Sequence, residues 1–317
     1  MDNKFLKLKE NLNLLGFEEF GIIPTACYIQ PHFIPSMVDY YNENQIKNNF
    51  DMSAFNSIIV LLMNYRPENL KSGRMSIGSN EKDYHIVFKE KISELGNMMD
   101  LGNFLGYSDT GPLFDRTLAL KAGLGFIGKN GCLINPRIGS FFFIGYVLTD
   151  LKFEKFIPYK ASEFKNTLCE HCTRCIEACP TSAIGEGEFR PMRCLSHLTQ
   201  TKKPDPDLEG KIKTFYGCDI CQKVCPYNFD KSKGMDEFLS GDDISYEDLF
   251  TLSNKEFKHI YGEKAFFWRG RSIIKRNAII RAHNLKDESI VKYLEEELKK
   301  DNITKEYILK YFLDFIK

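Results

Sequence analysis

The alternation of hydrophobic and polar positions predicts an α+β arrangement for the first half of the chain. Apolar residues recur at helical spacing over residues 3–15 and Gly16 follows, which predicts an amphipathic helix closed by a glycine cap. Residues 57–63 and 140–148 are short, nearly continuous apolar runs, as expected for strands buried on both faces. A further strand is predicted near residues 21–23, and a helix within residues 81–101. Together these elements predict one sheet packed against helices.

The carboxyl-terminal part of the chain is predicted to be helical. Residues 287–317 alternate apolar positions with Glu and Lys, which indicates two helices. The preceding segment, residues 264–281, carries six Lys and Arg residues and no acid, and we expect its isoleucines to face inward and its arginines outward. Both a solvated surface and a nucleic-acid-binding surface are compatible with this pattern. For the aromatic residues 266–268 we expect packing in the core.

Composition and charge limit the class of protein. The chain has 317 residues, of which 43% are hydrophobic and 27% charged, as in globular proteins of about two domains. A formal net charge of zero excludes a uniformly basic nucleic-acid-binding coat but leaves room for a local basic patch. The amino terminus lacks the apolar core of a signal peptide, and no apolar run reaches the ~18 residues of a membrane span. We therefore expect a cytoplasmic protein without membrane contact.

The cysteines carry the strongest chemical signal. Cys169, Cys172, Cys175 and Cys179 precede Pro180 with the C-x2-C-x2-C-x3-C-P spacing of two-cluster ferredoxins. A second run ends in a proline as well, and Cys194 lies between the runs, so eight thiolates are available for two [4Fe–4S] clusters. Because the cysteine before the proline ligates the other cluster in such proteins, the expected sets are Cys169, Cys172, Cys175 and Cys225 for one cluster and Cys179, Cys194, Cys218 and Cys221 for the other.

Other uses of these cysteines fit less well. Zinc ribbons use paired C-x2-4-C knuckles, and disulfides are rare in a reducing compartment. The two cysteines outside the cluster sets, Cys27 and Cys132, are expected to be buried small hydrophobic residues.

A glycine-rich stretch between the predicted strands is the second candidate site. Asp109 precedes a turn at Gly111 and Pro112, a short helix follows from Arg116, and glycines then recur up to Gly128. Such a loop allows a ligand to approach the backbone closely. An ordinary glycine-rich connection, with Asp109 as a helix cap, is equally compatible with the spacing. The glycines do not form a dinucleotide fingerprint, because no G-x-G-x-x-G follows a strand here.

Combined, these motifs resemble the epoxyqueuosine reductases, a family of cobalamin and iron–sulfur enzymes related to reductive dehalogenases that completes queuosine in the anticodon loop of transfer RNA. The resemblance rests on residues 83–85, 109–112 with Arg116, 121–130, 139–143, the cysteine runs, 193–199 and 216–226, and it extends over about residues 55–285. It implies a nitroreductase-like cobalamin-binding α+β domain at residues 1–155. A ferredoxin-like double [4Fe–4S] domain would follow at residues 156–235, and a short helical, HEAT-like segment at residues 236–317.

The resemblance also implies roles for individual residues. Asp109 corresponds to the proposed proton donor of the family, and Lys202 and Lys203 fall near the positions that contact tRNA. The positions that contact cobalamin correspond to Asn130, Leu133, Ile144, Ser196, Cys218 and Asp219. We expect cobalamin to bind base-off, since the ferredoxin-like domain would cover the lower face of the corrin.

The function implied by the resemblance is the two-electron reductive removal of the epoxide oxygen of epoxyqueuosine in tRNA. An external low-potential electron donor of flavodoxin or ferredoxin type is expected, and the protein is expected to be a monomer. Two alternatives are a cobalamin-dependent reductase of a small halogenated or epoxide compound and a ferredoxin-type electron carrier. Cobalamin binding would distinguish the carrier from both enzymes.

Overall fold

The computed structural model describes residues 3–28, 50–68, 73–153, 168–239, 243–300 and 302–313. The helices are α1 (Asn3–Leu14), α2 (Tyr84–Met98), α3 (Asp115–Lys121), α4 (Leu168–His171), α5 (Arg174–Ala178), α6 (Leu195–Leu198), α7 (Ile220–Lys223), α8 (Tyr246–Thr251), α9 (Asn254–Tyr261), α10 (Arg271–Leu285), α11 (Val291–Leu298) and α12 (Ile303–Phe312). The strands are β1 (Glu19–Pro24), β2 (Ser57–Asn64), β3 (Phe104–Ser108), β4 (Phe126–Ile127), β5 (Leu133–Ile134), β6 (Phe142–Thr149), β7 (Ile184–Gly185) and β8 (Glu188–Phe189).

Within the described residues, the main sheet is antiparallel and has the strand order β1, β2, β6, β3. Every residue of β2 is buried, because alternate side chains point to opposite faces and both faces are covered. Ile59 and Leu61 pack with residues of α1 and α2, whereas Ile58 and Val60 pack with residues of α3 and β5. The prediction of a strand buried on both faces is therefore confirmed for β2.

The other elements predicted for the first half of the chain are also confirmed. Helix α1 ends before Gly16, whose φ of 88° is a left-handed value that glycine adopts without strain. Strand β1, helix α2 and strand β6 lie where the apolar pattern predicted them. Helix α3 begins at Asp115, and its cap is Phe114. Asp109 is thus not a helix cap, and that interpretation was wrong.

The carboxyl-terminal helices form a second core that includes residues from the middle of the chain. Leu195, Leu198 and Phe215 pack in the same apolar cluster as side chains of α8, α10 and α12. In the opposite direction, Met235 and Phe238 pack in the apolar cluster formed by α1, α2 and β2. The cysteine-rich region is therefore held by apolar contacts to both sides. No helix among the described residues is long and apolar enough to cross a membrane.

Helix α10 carries the basic segment, and the prediction that its charges face outward was wrong. The isoleucines are buried as expected, but Lys275 is only 6% exposed and Arg276 is fully buried. Lys275 pairs with Glu297 of α11 at 2.6 Å, and burial lowers the pKa of this lysine to about 8. The side chain of Arg271 donates hydrogen bonds to the main-chain oxygens of residues 248 and 249. These cations stabilise the packing of the helix instead of forming a free basic surface.

Candidate functional site

The first thiol group consists of Cys169, Cys172, Cys175 and Cys225, which line one pocket. The short spacing of α4 and α5 holds the first three cysteines around a tight turn, and Cys225 reaches the pocket just before the turn at Pro226. Burial raises the pKa of Cys175 to about 11, and the charges of the other three thiols act in the same direction. Four thiolates at such short range need positive charge between them.

The second thiol group consists of Cys179, Cys194, Cys218 and Cys221. Burial raises the pKa of Cys218 to about 12, and the charges of Cys194 and Cys179 add to the increase. The pKa of Cys221 is raised by a hydrogen bond with a further thiol, by burial and by the charges of Cys218 and Cys194. The structure thus brings together the same two sets of four that the spacing predicts.

The two thiol groups fit two [4Fe–4S] clusters by the chemistry of their donors. Each iron of a cube takes one thiolate, so the four sulfurs stand around a group of atoms and not around one ion. Four cysteines around each site are the ligand set of a cube.

The two remaining cysteines differ from expectation. Cys27 is exposed, so the prediction of a buried thiol was wrong for this residue, and Cys132 is half-buried. A hydrogen bond with Cys221 lowers the pKa of Cys132, which places a ninth thiol beside the second thiol group. This contact depends on the tertiary structure and has no signature in the cysteine spacing.

Asp109 lies between β3 and α3 in a left-handed conformation with a φ of 59°. This conformation costs of the order of 1 kcal/mol for a residue other than glycine, so the surrounding contacts must hold it. Two contacts do so. The main-chain N–H of Asp109 donates a hydrogen bond of 2.6 Å to Asp115 Oδ2, and the hydroxyl of Tyr84 donates one of 3.1 Å to Asp109 Oδ2. The carboxyl group of Asp109 is exposed and positioned from both sides.

The carboxyl group of Asp115 lies beneath this loop. Burial raises the pKa of Asp115 from its ordinary value of 3.8 to about 7, and the charge of Asp109 adds to the increase. Nearby, a hydrogen bond of 2.8 Å with Asp83 raises the pKa of His85. Asp115 Oδ1 and His85 Nε2 are both buried without a hydrogen-bond partner among the described residues. Orphaned polar atoms of this kind are expected where a bound group completes a site.

Arg116 connects this acidic site to the thiols. Its guanidinium donates a hydrogen bond of 2.7 Å to the carbonyl oxygen of Gly131 and lowers the pKa of Cys132 by its charge. Between Arg116 and Cys132, the glycine-rich loop passes close to the main chain of Ile134. A Cβ at Gly125 would lie 2.3 Å from the carbonyl oxygen of Ile134, so no larger residue fits. The loop therefore brings the Asp109 region and Cys221 to the same part of the molecule.

The residues expected to contact cobalamin lie on several elements. Asn130 is buried and its Oδ1 accepts a hydrogen bond from Cys132 N–H, whereas Leu133 and Ile144 belong to the apolar cluster on one face of the sheet. Ser196 lies on α6. Cys218 belongs to the second thiol group, and the adjacent Asp219 is buried and accepts a 2.7 Å hydrogen bond from Ile77 N–H. The charge of Asp219 acts on Cys132, so Asn130 and Asp219 both lie next to that thiol.

Lys202 and Lys203 are exposed and belong to a segment that α10 holds in place. The buried guanidinium of Arg276 donates hydrogen bonds of 2.6 Å and 2.8 Å to the carbonyl oxygens of Thr201 and Lys202. Asn277 binds the carbonyl oxygen of Thr199 at 2.7 Å. Buried residues of α10 therefore hold the main chain that leads into the two lysines.

The sequence did not assign roles to four residues that the structure places at these sites. Asp115 and Tyr84 hold Asp109, Cys132 contacts Cys221, and Arg276 fixes the lysine segment. Asp115 stands at the start of a predicted helix, where an acidic residue is ordinary, and only its burial distinguishes it.

Comparison with known proteins agrees with this arrangement. A family model described as a 4Fe-4S double cluster binding domain matches residues 168–228, and the model for Epoxyqueuosine reductase QueG, DUF1730, matches residues 50–110. The chain is 39% identical to the epoxyqueuosine reductase of Lactococcus garvieae, with 73% of this chain and 67% of the relative covered. It is 33% identical to that of Leadbetterella byssophila, with 83% and 93% covered. For the Bacillus subtilis enzyme the identity is 37%, and the chain spans 58% of that relative.

Solved structures show the same similarity over nearly the whole chain. The epoxyqueuosine reductase of Streptococcus thermophilus matches with a TM-score of 0.80 and 28% identity, covering 99% of this chain and 91% of that one. An epoxyqueuosine reductase solved with an epoxyqueuosine-modified tRNA-Tyr stem loop matches with a TM-score of 0.78 and 28% identity, covering 96% and 88%. On the strength of its relatives, its double-cluster region and its fold, this chain belongs to the epoxyqueuosine reductase family.

Proposed function

We propose that this protein removes the epoxide oxygen of epoxyqueuosine in tRNA and so produces queuosine. The reaction consumes two electrons and two protons and releases the oxygen as water. One observation carries the proposal: a positioned carboxyl group, Asp109, is connected through Asp115, Arg116 and Cys132 to a thiol group suited to an iron–sulfur cluster. The relatives named epoxyqueuosine reductase, one of them solved with a modified tRNA stem loop, support the choice of substrate.

The cofactors of this reaction would be held by residues described above. The two thiol groups would hold two [4Fe–4S] clusters, which carry one electron at a time. Cobalamin, bound base-off, would be held by Asn130, Leu133, Ile144, Ser196, Cys218 and Asp219. When bound, it supplies the low-potential metal chemistry that breaks a carbon–oxygen bond. We expect an external donor of flavodoxin or ferredoxin type, a cytoplasmic location and a monomeric protein.

Asp109 would supply a proton to the oxygen that leaves the substrate. Its exposed carboxyl group is oriented by Tyr84, whose hydroxyl donates a hydrogen bond to Oδ2, so Oδ1 would be the atom that faces the substrate oxygen. A general acid must lie within hydrogen-bonding reach of the atom that it protonates, and the left-handed backbone at Asp109 sets this reach.

Asp115 and His85 would support this proton transfer without touching the substrate oxygen. Asp115 fixes the main chain of Asp109, and near neutral pH its carboxyl group is partly protonated because burial raises its pKa to about 7. The hydrogen bond with Asp83 raises the pKa of His85, so this imidazole would hold a proton more readily than a free histidine does. The site thus keeps protons close to Asp109.

The decisive experiment measures conversion of epoxyqueuosine in a tRNA stem loop by the anaerobically reconstituted protein. Asp109→Asn preserves the size of the side chain but cannot release a proton, so turnover should fall by about 10²- to 10⁴-fold while both clusters and cobalamin still load. Nucleoside analysis by mass spectrometry measures the product. Near-normal conversion with full cofactor content would remove Asp109 from the mechanism.

The same assay separates the proposed function from the reduction of a small molecule. Cells lacking the gene should accumulate epoxyqueuosine in their tRNA, and the wild-type gene should restore queuosine. Unchanged tRNA nucleosides, together with reduction of a free epoxide or halogenated compound by the purified protein, would favour the small-molecule enzyme. Failure to bind cobalamin would favour an electron carrier.

A further inference from the structure

Trp268, the one tryptophan of the chain, presents its ring to solvent. It is 64% exposed, whereas Phe266, two residues earlier, is completely buried. The expectation that all three aromatic residues of this segment pack in the core was therefore wrong for Trp268. Large aromatic side chains gain most from burial, so an indole left in solvent on an ordered turn is unusual.

The ring of Trp268 is nevertheless held firmly. Its indole Nε1–H donates a hydrogen bond of 2.9 Å to the hydroxyl of Tyr216, which in turn donates one of 3.1 Å to Gln200 Oε1. Tyr216 itself is buried, so the edge of the indole is anchored to a fixed point while a face remains free. A side chain with one fixed edge loses little entropy when a flat partner stacks on it.

The position of Trp268 is close to the proposed reaction site. The main-chain N–H groups of Ala265 and Phe266 donate hydrogen bonds to the carbonyl oxygens of Glu81 and Ser79. This pairing attaches the Trp268 turn to the segment that leads directly into Tyr84, the residue that holds Asp109.

A guanidinium lies against the exposed ring, and the segment that binds this guanidinium continues into two lysines. The guanidinium of Arg269 lies 5.2 Å from the centroid of the indole, and its Nε donates a hydrogen bond to the carbonyl oxygen of Gln200. Lys202 and Lys203 follow two and three residues after Gln200, and both are exposed. Flat aromatic faces beside cations are how proteins bind unpaired nucleotides, because the ring stacks on the base while the cations meet the phosphates.

We propose that the exposed face of Trp268 stacks on an unpaired nucleobase of the anticodon loop, next to the nucleotide that is reduced. This inference rests on the proposed function and adds a recognition residue to it. Trp268 would act as a platform that orients the loop, with Lys202 and Lys203 on the neighbouring phosphates. A protein partner would also cover an exposed indole, but the cations beside the ring favour a polyanion.

Intrinsic fluorescence tests the proposal directly, because Trp268 is the one indole of the protein. The reconstituted holoprotein is titrated with an epoxyqueuosine-modified anticodon stem loop, and stacking on a base should quench the emission in a saturable manner. A duplex of the same length without a loop is the matched control, and it should leave the emission unchanged.

Variants separate stacking from charge. Trp268→Ala should weaken binding of the stem loop by about 5- to 100-fold without changing the slope of affinity against salt concentration. Trp268→Phe keeps a ring and should retain most of the affinity, which would show that loss in the alanine variant is not misfolding. Lys202→Glu should instead flatten the salt dependence by about one unit of slope.

The outcomes distinguish the two proposals. If the wild-type protein converts the stem loop but its emission does not change and Trp268→Ala binds normally, the stacking inference is wrong and the proposed function stands. If the wild-type protein neither binds nor converts the stem loop, both are wrong. If the duplex quenches as strongly as the stem loop, Trp268 does not recognise an unpaired base.

Discussion

Replacement of Asp115 by asparagine should make the stability of the protein less sensitive to pH. The carboxyl group has a pKa of about 7 in the folded chain, against an ordinary value of 3.8, a difference equivalent to roughly 4 kcal/mol. Between these values the folded chain keeps the proton while the unfolded chain has lost it. The folded state therefore binds more protons, and this group lowers the free energy of unfolding as the pH rises towards 7. The amide side chain of the variant cannot ionise and avoids this loss.

The expected magnitude follows from the same two values. Between pH 5.5 and 8.5, the free energy of unfolding of Asp115→Asn should rise relative to wild type by about 2 kcal/mol, equivalent to roughly 4 °C in melting temperature. We also expect a difference in the free energy of unfolding between the variant and wild type that does not depend on pH. The amide nitrogen of the variant would occupy the position of Asp115 Oδ1, which has no partner among the described residues. The growth of the difference with pH, and not its absolute size, is the prediction.

Thermal unfolding of the two proteins at a series of pH values, under argon and at one scan rate, measures this difference. Ser108→Ala is a suitable control, because the buried Ser108 hydroxyl donates a hydrogen bond to the carbonyl oxygen of Ile144 but does not titrate. Its effect on the melting temperature should be the same at every pH. A difference between Asp115→Asn and wild type that stays flat, or that shrinks as the pH rises, would refute the buried-acid interpretation.

Three further predictions concern the clusters, the lysines and the buried arginine. Cys172→Ser should lower the iron content from about eight to about four atoms per chain and leave the spectroscopic signal of one cluster. Zinc without inorganic sulfide in the wild-type protein would contradict both [4Fe–4S] clusters. Lys202→Glu combined with Lys203→Glu should flatten the salt dependence of stem-loop binding by about two units of slope, and an unchanged slope would exclude both residues from phosphate contact. Arg276→Met should lower the free energy of unfolding by about 3–5 kcal/mol, because three carbonyl oxygens lose their hydrogen-bond donor. Denaturant titration measures this change, and it should show no such loss if water replaces the guanidinium.

The features that the sequence predicted correctly are those whose cause is local. Apolar runs such as residues 57–63 form strands because every position in them favours burial, and the spacing of Cys169 to Cys179 is itself the geometry of a ligand turn. These signals lie within about ten residues of one another and need no knowledge of the rest of the fold. The assignment of the eight cysteines to two cluster sets uses the same kind of rule and stays a prediction.

The features that the sequence could not provide depend on partners far along the chain. Helix α10 looked basic and exposed, yet Lys275 meets Glu297, and Arg276 meets carbonyl oxygens more than seventy residues away. Asp115 is an ordinary first-turn acid until a loop from β3 covers it. The contrast between the buried Phe266 and the exposed Trp268 also arises only when the turn docks on the segment before α2.

The crossed membership of the two thiol groups has a consequence for biosynthesis. The first group needs Cys225 in addition to Cys169, Cys172 and Cys175, and the second is complete only after Cys221. During translation, the amino-terminal sheet can therefore fold while neither set of ligands exists in full. Since bound metal contributes to the free energy of folding, the middle of the chain should remain unstable until iron arrives after residue 225 has left the ribosome. When iron is scarce, we therefore expect this protein to fold incompletely. Newly made chains should be affected first, because they have not yet bound iron.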